Sequence, residues 1–444
     1  MKTIQEYLSD KGYNVASDET TSHIDEWMNW YEGYVKDFHH YTVYNGIESV
    51  GKDRYALGMA KTVAEDWANL LLNEKVKIYT GKDFDKQLQE VFEYNNFRVK
   101  GNQLIELAFA LGTGAFVEYK DADGKVVIDF IRAGMIYPLS WDNGYVNECA
   151  FGSVRERDGK KQYYIQIHKM QNKKYIIENH LVNADSGTDI ELDKGMLDVV
   201  PTGISIPLFQ IITPNIVNNI DLDSPYGISV YANGVDQLKG CDLVFDSYMN
   251  EFELGKRKIM VPLSMAKIQM GTDGVTKPVF DKNDSTFYAI PGDRDGNLKI
   301  DTYDPQIRAE DHDKGINKAL DLLSFKCGMG TGRYKFENGN VKTATEVISD
   351  KSELYQSLKK HEIVLDSAFK SMVKAIGQLL GKEIKDVNID FDDSIIEDKQ
   401  SERQTDKGDI AIGAMTLLEY RMKWYGETEE EAAKNINEPA EMIP

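Results

Sequence analysis

The hydrophobic pattern of the C-terminal half predicts two long helices separated by a polar loop. Along the second helix, apolar or semi-polar residues recur at alternating spacings of four and three, which is typical of a helix packed lengthwise against others. These positions are Leu354, Leu358, His361, Leu365, Ala368, Met372, Ile376 and Leu379. Because this seam is too long and regular for one small domain to cover, we expect it to pack between subunits. The residues expected to carry that packing are Leu354, Leu358, Leu365, Met372 and Ile376.

The loop before this helix covers residues 328–342 and has the sequence GMGTGRYKFENGNVK. It combines backbone freedom with positive charge, since it contains four glycines and three cations. The glycines are Gly328, Gly330, Gly332 and Gly339, and the cations are Arg333, Lys335 and Lys342. The composition predicts a mobile basic loop. Thr343 followed by Glu346 is a capping-box sequence and indicates that the next helix begins directly after it.

The N-terminal half changes from a helical to a strand pattern near residue 115. Up to about Val99 the chain is mostly helical and rich in aromatic residues, for which core or subunit packing is favoured over ligand stacking. Residues 115–213 contain strand-like runs at 115–119, 126–131, 148–157, 162–169 and 174–179. Turn pairs such as Asp123-Gly124 separate them, which predicts an antiparallel meander.

The middle of the chain is organised as a stalk with a tip. A long helix is predicted from about Gly227 to Gly255, and a helix of similar length from about Pro305 to Cys327. Between them, short β runs at 259–262, 287–290 and 298–302 predict a small β module. The tail, residues 382–444, is acidic, with helical patterns at 413–425 and 428–436. The predicted fold class is therefore α+β.

Composition narrows the function further. The 444 residues carry 52 Lys and Arg against 73 Asp and Glu, a formal charge of -21, which argues against a protein that grips nucleic acid over its whole surface. Three cysteines lie far apart without a CxxC pair, which favours a reducing compartment over a disulfide framework or a zinc site. No signal-peptide core or membrane-spanning run is present in the sequence, so we expect a cytoplasmic site of synthesis.

Catalytic motifs are missing from the sequence. Six Gly-Lys pairs occur, but Ser or Thr follows none of them, so no Walker A phosphate loop is predicted. His361-Glu362 lacks the second histidine of a zinc-protease helix. Asp221 and Asp223 suggest metal-dependent phosphoryl chemistry, although an Asx turn before Pro225 explains them more simply. We therefore predict no catalytic residue, no metal and no cofactor.

The order of these segments resembles the portal proteins of tailed double-stranded DNA phages, of the type found in siphophages of Gram-positive hosts. The most specific stretches are SPYGISVYANGVDQLKGCD at 224–242 and KTATEVISDKSELYQS at 342–357. The resemblance covers nearly the whole chain and implies the portal fold. The implied division is a wing at 1–226, a wing and stem helix at 227–258, a clip at 259–303, a returning stem helix at 304–327, a tunnel loop at 328–342, a long wing helix at 343–381 and a crown at 382–444. The crown is shorter than in larger relatives.

The resemblance also implies a function and partners. Such proteins form a dodecameric ring at one capsid vertex, conduct DNA during packaging and ejection, and connect the head to the tail. The implied partners are other copies of the chain, the terminase large subunit, a head-completion or adaptor protein, the major capsid and scaffolding proteins, and double-stranded DNA held transiently without sequence preference. No membrane is implied. The protein would reside in the virion and assemble in the host cytoplasm, with Arg333, Lys335 and Lys342 as the DNA contacts.

Two other functions stay open from the sequence. A metal-dependent nuclease-type enzyme would use Asp221 and Asp223, but it needs further ligands that the sequence does not indicate. A different phage structural protein, such as an adaptor, is the other alternative.

Overall fold

The computed structural model describes residues 2–16, 18–44, 48–121, 123–157, 159–262, 267–270, 276–279, 287–290, 300–336, 344–391, 399–425 and 427–437. It is an α+β protein, as predicted. The helices are α1 Ile4–Asp10, α2 Asp18–Glu32, α3 Lys36–His39, α4 Met59–Leu71, α5 Lys82–Tyr94, α6 Phe97–Leu111, α7 Val235–Leu254, α8 Ala309–Lys326, α9 Ala344–Leu379, α10 Lys399–Ala411, α11 Leu417–Tyr425 and α12 Glu429–Asn437.

The strands fall in the N-terminal half, in the module between α7 and α8, and after α9. They are β1 His40–Tyr44, β2 Ser49–Asp53, β3 Lys77–Tyr79, β4 Gly114–Lys120, β5 Val126–Arg132, β6 Ile136–Asp142, β7 Tyr145–Arg157, β8 Lys160–Gln171, β9 Lys174–Asn183, β10 Asp189–Ile190, β11 Val199–Pro201, β12 Phe209–Ile212, β13 Lys258–Pro262, β14 Lys267–Met270, β15 Thr276–Val279, β16 Phe287–Ile290, β17 Asp301–Tyr303 and β18 Asn388–Asp390.

The predicted meander is confirmed, and it forms two antiparallel sheets. The larger sheet has the order β10-β9-β8-β7-β6 with β11 on β9, and the smaller one has the order β12-β4-β5. The sequence pattern missed β6, which contains Pro138. Proline cannot donate a ladder hydrogen bond, but β6 is an edge strand, where that donor is not needed.

One large hydrophobic core joins the helices to the smaller sheet. Trp27, Trp67, Phe109, Phe116 and Phe369 lie almost fully buried in it. The aromatic side chains of α2 therefore contribute to the core, as the sequence favoured. The helix α9 packs on α4 and on strands β4 and β12, so it closes this core from one side.

The seam along α9 is buried inside a single chain, which corrects the expectation that it packs between subunits. Every one of its eight positions is less than 10% exposed, from 0% at Leu358, Met372 and Ile376 to 9% at Leu379. Elements of the same subunit, α4, β4 and β12, contact α9 and cover the seam. Leu354, Leu358, Leu365, Met372 and Ile376 are thus residues of the subunit core. The predicted cap at Thr343 lies outside the described residues.

The stalk is an antiparallel pair formed by α7 and α8. At its far end Arg308 makes two hydrogen bonds to the Glu251 carboxylate, at 3.0 Å and 2.7 Å. The helix α7 begins at Val235, later than the predicted Gly227. Residue 227 instead lies against the segment after α6: its N–H donates to Thr113 Oγ1, and a Cβ at 227 would be 2.4 Å from the Gly112 carbonyl oxygen. This contact joins segments far apart in sequence, so the local pattern could not indicate it.

Between the two stalk helices lies the predicted β module. The strand β13 pairs in parallel with β16 and antiparallel with β17, and β14 pairs with β15. The three predicted runs thus pair with one another within the chain. In the tail, β18 pairs with β3 and attaches the start of the tail to the N-terminal part, while α10, which the pattern did not predict, contacts α11.

The burial of α9 predicts a large effect of cavity formation on the stability of the subunit. Replacing Met372 with Ala should lower the free energy of unfolding by about 2–5 kcal/mol, because the surrounding core cannot fully collapse. Denaturant unfolding followed by circular dichroism measures this change. Lys374→Ala on the exposed side of the same helix is the matched control and should change stability by less than about 0.5 kcal/mol. Equal effects of the two substitutions would contradict the packing described here.

Candidate functional site

The segment that follows α8 turns back on the helix instead of extending from it. Gly328, Gly330 and Gly332 have φ values of 76°, 72° and 84°, in the left-handed region that glycine adopts without strain. The Ser324 hydroxyl donates a hydrogen bond of 2.6 Å to the carbonyl oxygen of Gly330. In the described part of the loop, residues 328–336, these glycines therefore shape tight turns.

The guanidinium of Arg333 is held by Asp66 on α4. Its Nε and Nη2 atoms donate to the two carboxylate oxygens of Asp66 at 2.8 Å and 2.6 Å, and the Tyr334 hydroxyl donates to the same carboxylate at 3.2 Å. Such a paired geometry is the strong form of an Arg–carboxylate contact. Donating these hydrogen bonds to Asp66 also raises the pKa of Arg333, so this group stays charged.

A second carboxylate, Asp321 on α8, holds the next cation. The Nζ atom of Lys335 lies 2.8 Å from Asp321 Oδ2, and the backbone N–H of Gly332 donates to Oδ1 at 2.8 Å. One turn earlier on α8, the side-chain oxygen of Asn317 accepts from the Phe336 N–H at 2.9 Å. Two helices therefore fix the first half of the loop. We call residues 328–336 with Asp66, Asn317 and Asp321 the loop base.

The loop base sits beside a buried aromatic contact that joins three helices. The Trp67 Nε1–H donates to the carbonyl oxygen of Cys327 at 3.1 Å, at the end of α8. The ring of Trp67 also lies edge-on to His361 of α9, with a centroid distance of 4.6 Å. Burial lowers the pKa of His361 to about 3, so its imidazole is neutral, and its Nδ1 atom accepts from the Asn215 N–H at 3.0 Å.

The sequence predicted the cations of this region but not their partners. Arg333 and Lys335 were expected in a mobile loop, whereas the structure pairs each with a carboxylate of the same chain. Lys342 and Gly339 lie outside the described residues. Contact of these cations with DNA remains a prediction. Asp66 and Asp321 each occupy a polar position within a predicted helix, and nothing in the local sequence connects them to the loop.

The residues proposed for an enzymatic alternative form a turn. The Asp223 N–H donates to Asp221 Oδ1 at 3.1 Å, which is an Asx turn. Within the described part of the chain, no group of three or more His, Cys, Asp or Glu side chains could hold a metal ion.

Cys149, Cys241 and Cys327 are buried free thiols. None of the helices that the structure describes is long and apolar enough to cross a membrane.

Comparison with known proteins assigns the chain to a family. The family model described as "Phage portal protein, SPP1 Gp6-like" matches residues 10–443, nearly the whole chain. The chain belongs to this family of phage portal proteins. The resemblance inferred from residues 224–242 and 342–357 is thereby confirmed, and with it the function of a portal, the head–tail connector of a phage particle.

A distant similarity to a solved structure was also found. The structure titled "Neck of native GTA particle computed with C12 symmetry" matches with a TM-score of 0.39 and 12% sequence identity, covering 86% of this portal chain and 89% of that chain. It is too distant to add to the family assignment. No curated protein matches the chain.

The loop base of this portal protein predicts how one substitution changes local stability. Asp66→Asn keeps the shape of the side chain but removes the charge that Arg333 pairs with, so the segment should open more often. Trypsin should then cleave after Arg333 faster than in the unmodified protein. Glu65→Gln is the control, because Glu65 pairs with Lys61 on the exposed side of α4 and does not touch the loop. If both variants are cleaved at the same rate, the tether is not formed.

Proposed function

We propose that this portal protein closes into a ring of about twelve copies that encloses a channel for double-stranded DNA. The family match over residues 10–443 is the observation that carries the proposal. The arrangement of elements supports it, since α7 and α8 form a two-helix stalk that leads to a small β module and back. As a portal the protein is a component of the virion, and the ring would form in the host cytoplasm and occupy one capsid vertex.

The proposed division of the chain follows the segments given above. Residues 1–226 and 343–381 form the wing, 227–258 and 304–327 the stem, 259–303 the clip, and 382–444 the crown. We propose that the clip binds the terminase large subunit and then the head-completion protein. The sheet β16-β13-β17 supports this, because β16 and β17 are its outer strands among the described residues, and an outer strand can pair with a strand of another chain. The capsid and scaffolding proteins would contact the outside of the ring.

The ring proposal has a direct test. Light scattering of the purified protein after size exclusion should give a mass about twelve times the 50.4 kDa of one chain, and end-on images should show a central hole. Recombinant rings with one copy more or fewer remain consistent with the proposal. A protein that stays monomeric at all concentrations would contradict it and favour the nuclease alternative.

We further propose that the loop at 328–342 contacts DNA in the channel. Arg333 and Lys335 are held at the loop base by Asp66 and Asp321, and a phosphate is chemically similar to the carboxylates that they already bind. DNA would compete for these cations without sequence preference, and such contacts break easily in salt.

The loop cations can be tested by removing their charge. Changing Arg333, Lys335 and Lys342 to Gln should reduce the efficiency of DNA packaging or the retention of packaged DNA, while rings still form. A variant with Lys160, Lys161 and Lys174 changed to Gln loses the same charge from the exposed surface of the large sheet and is the matched control. Packaging and retention that are equal in the two variants would rule out the DNA contact.

A further inference from the structure

The hairpin formed by β1 and β2 projects from the subunit as an arm. Its base is fixed, because Asp53 accepts hydrogen bonds from Tyr34 at 3.1 Å and from His40 at 2.9 Å, and Arg54 lies over the ring of Tyr41. Beyond this base every strand residue except Tyr41 is exposed, on both faces of the hairpin.

The described residues give the arm little of the support that a two-stranded sheet needs. An isolated hairpin is at best marginally stable in water. Among the described residues its main packing partner is the short helix α3. Three apolar side chains are nevertheless exposed on it: Val43 at 40%, Tyr44 at 67% and Val50 at 37%. Val43 and Val50 face each other across the two strands and, with Lys52, occupy one face of the arm.

A groove with an apolar rim lies on another side of the same subunit. It has a volume of about 600 Å³ and runs between α9, β12 and the segment before Gly227. Tyr145, Leu222 and Ile363 line it and are 76%, 79% and 67% exposed. Ile363 is only two residues from His361, so it points to nearly the opposite side of α9 from the contact with Trp67.

The two surfaces lie on different sides of the subunit. The arm leaves it beside α7, where the backbone N–H groups of Tyr55 and Leu57 donate to Asp246 and Asp242. The groove lies beyond α9, on the side that faces away from α4. A ring requires such an arrangement, since each head-to-tail contact joins two different surfaces of the same chain.

We propose that the β1–β2 arm of one copy lies in the α9–β12 groove of the next copy. The charges support this occupant, because Lys52 shares the apolar face of the arm, while Asp221 and Asp223 are the sequence neighbours of the lining residue Leu222. The charged residue of the lining itself, Lys374, lies on α9. The contact would bury the exposed apolar side chains of both surfaces and give the arm packing that the described residues of its own chain do not supply. This inference rests on the proposed ring and names the surfaces that form it.

Cross-linking tests the contact in the assembled protein. The natural cysteines suit this experiment, because Cys149, Cys241 and Cys327 are 0%, 2% and 4% exposed and should not react. A Val43→Cys, Leu222→Cys double variant treated with a short bis-maleimide should give a ladder of covalent oligomers up to the full ring. Each single variant should stay monomeric on a denaturing gel.

Other outcomes separate the contact from the ring itself. If light scattering detects rings but cross-linking gives no ladder, the contact would be overturned and the proposed function would stay intact. Covalent dimers from Val43→Cys alone would also overturn it, since they indicate a twofold contact between arms. Failure of the unmodified protein to form rings would contradict the proposed function instead.

Charge reversal provides a second test that does not depend on cross-linker geometry. Lys52→Glu and Asp223→Lys should each raise by a few-fold the protein concentration needed for half-maximal ring assembly at low salt. The double variant restores an opposite-charge pair and should assemble like the unmodified protein. Lys160→Glu, on the large sheet, is the control for a general effect of charge. A double variant that assembles no better than either single variant would overturn the proposed pairing.

Discussion

The arrangement of α6, α8 and α9 around α4 depends on the contacts of one side chain, that of Trp67. Its indole N–H holds the end of α8, and its ring packs against His361 of α9 and Phe109 of α6. A buried indole needs one hydrogen-bond acceptor, and here the acceptor is the carbonyl oxygen of Cys327, the last residue before the loop base. The stalk, the long helix and the loop are therefore positioned by one residue of α4, and Asp66, its neighbour in sequence, holds Arg333.

The loop base holds its two cations in place through electrostatic contacts. Arg333 and Lys335 are each paired with a carboxylate in a partly exposed position, where salt weakens the attraction between the charges. If the loop contacts DNA as proposed, a duplex in the channel would present many phosphates at short spacing and would outcompete a single carboxylate. The pairs would thus keep the cations ordered when DNA is absent without preventing their transfer to it.

The local sequence pattern was enough to predict those elements whose structure depends on residues close together in the chain. The spacing of Leu358, Leu365 and Met372 predicted α9, and the turn pair Asp123-Gly124 predicted the hairpin between β4 and β5. Contacts between distant segments could not be predicted in this way. The close approach of residue 227 to Gly112 is one such contact, and the partners of the loop cations lie on α4 and α8. The same limit explains the misassigned seam, since its period shows that one side of α9 is buried but not which chain covers it.

The burial of that seam changes the physical problem of assembly. Each chain carries a formal charge of -21, so neighbouring copies repel one another unless their contacts avoid the acids. The apolar seam of α9 is buried inside the subunit, so contacts between copies would come from other surfaces. Exposed side chains such as Val43, Tyr44, Leu222 and Ile363 are of this kind. Salt would screen the repulsion between the surface charges of neighbouring copies. Because each apolar contact of this size is weak, the stability of a closed ring would depend on repeating the same contact between every pair of neighbours.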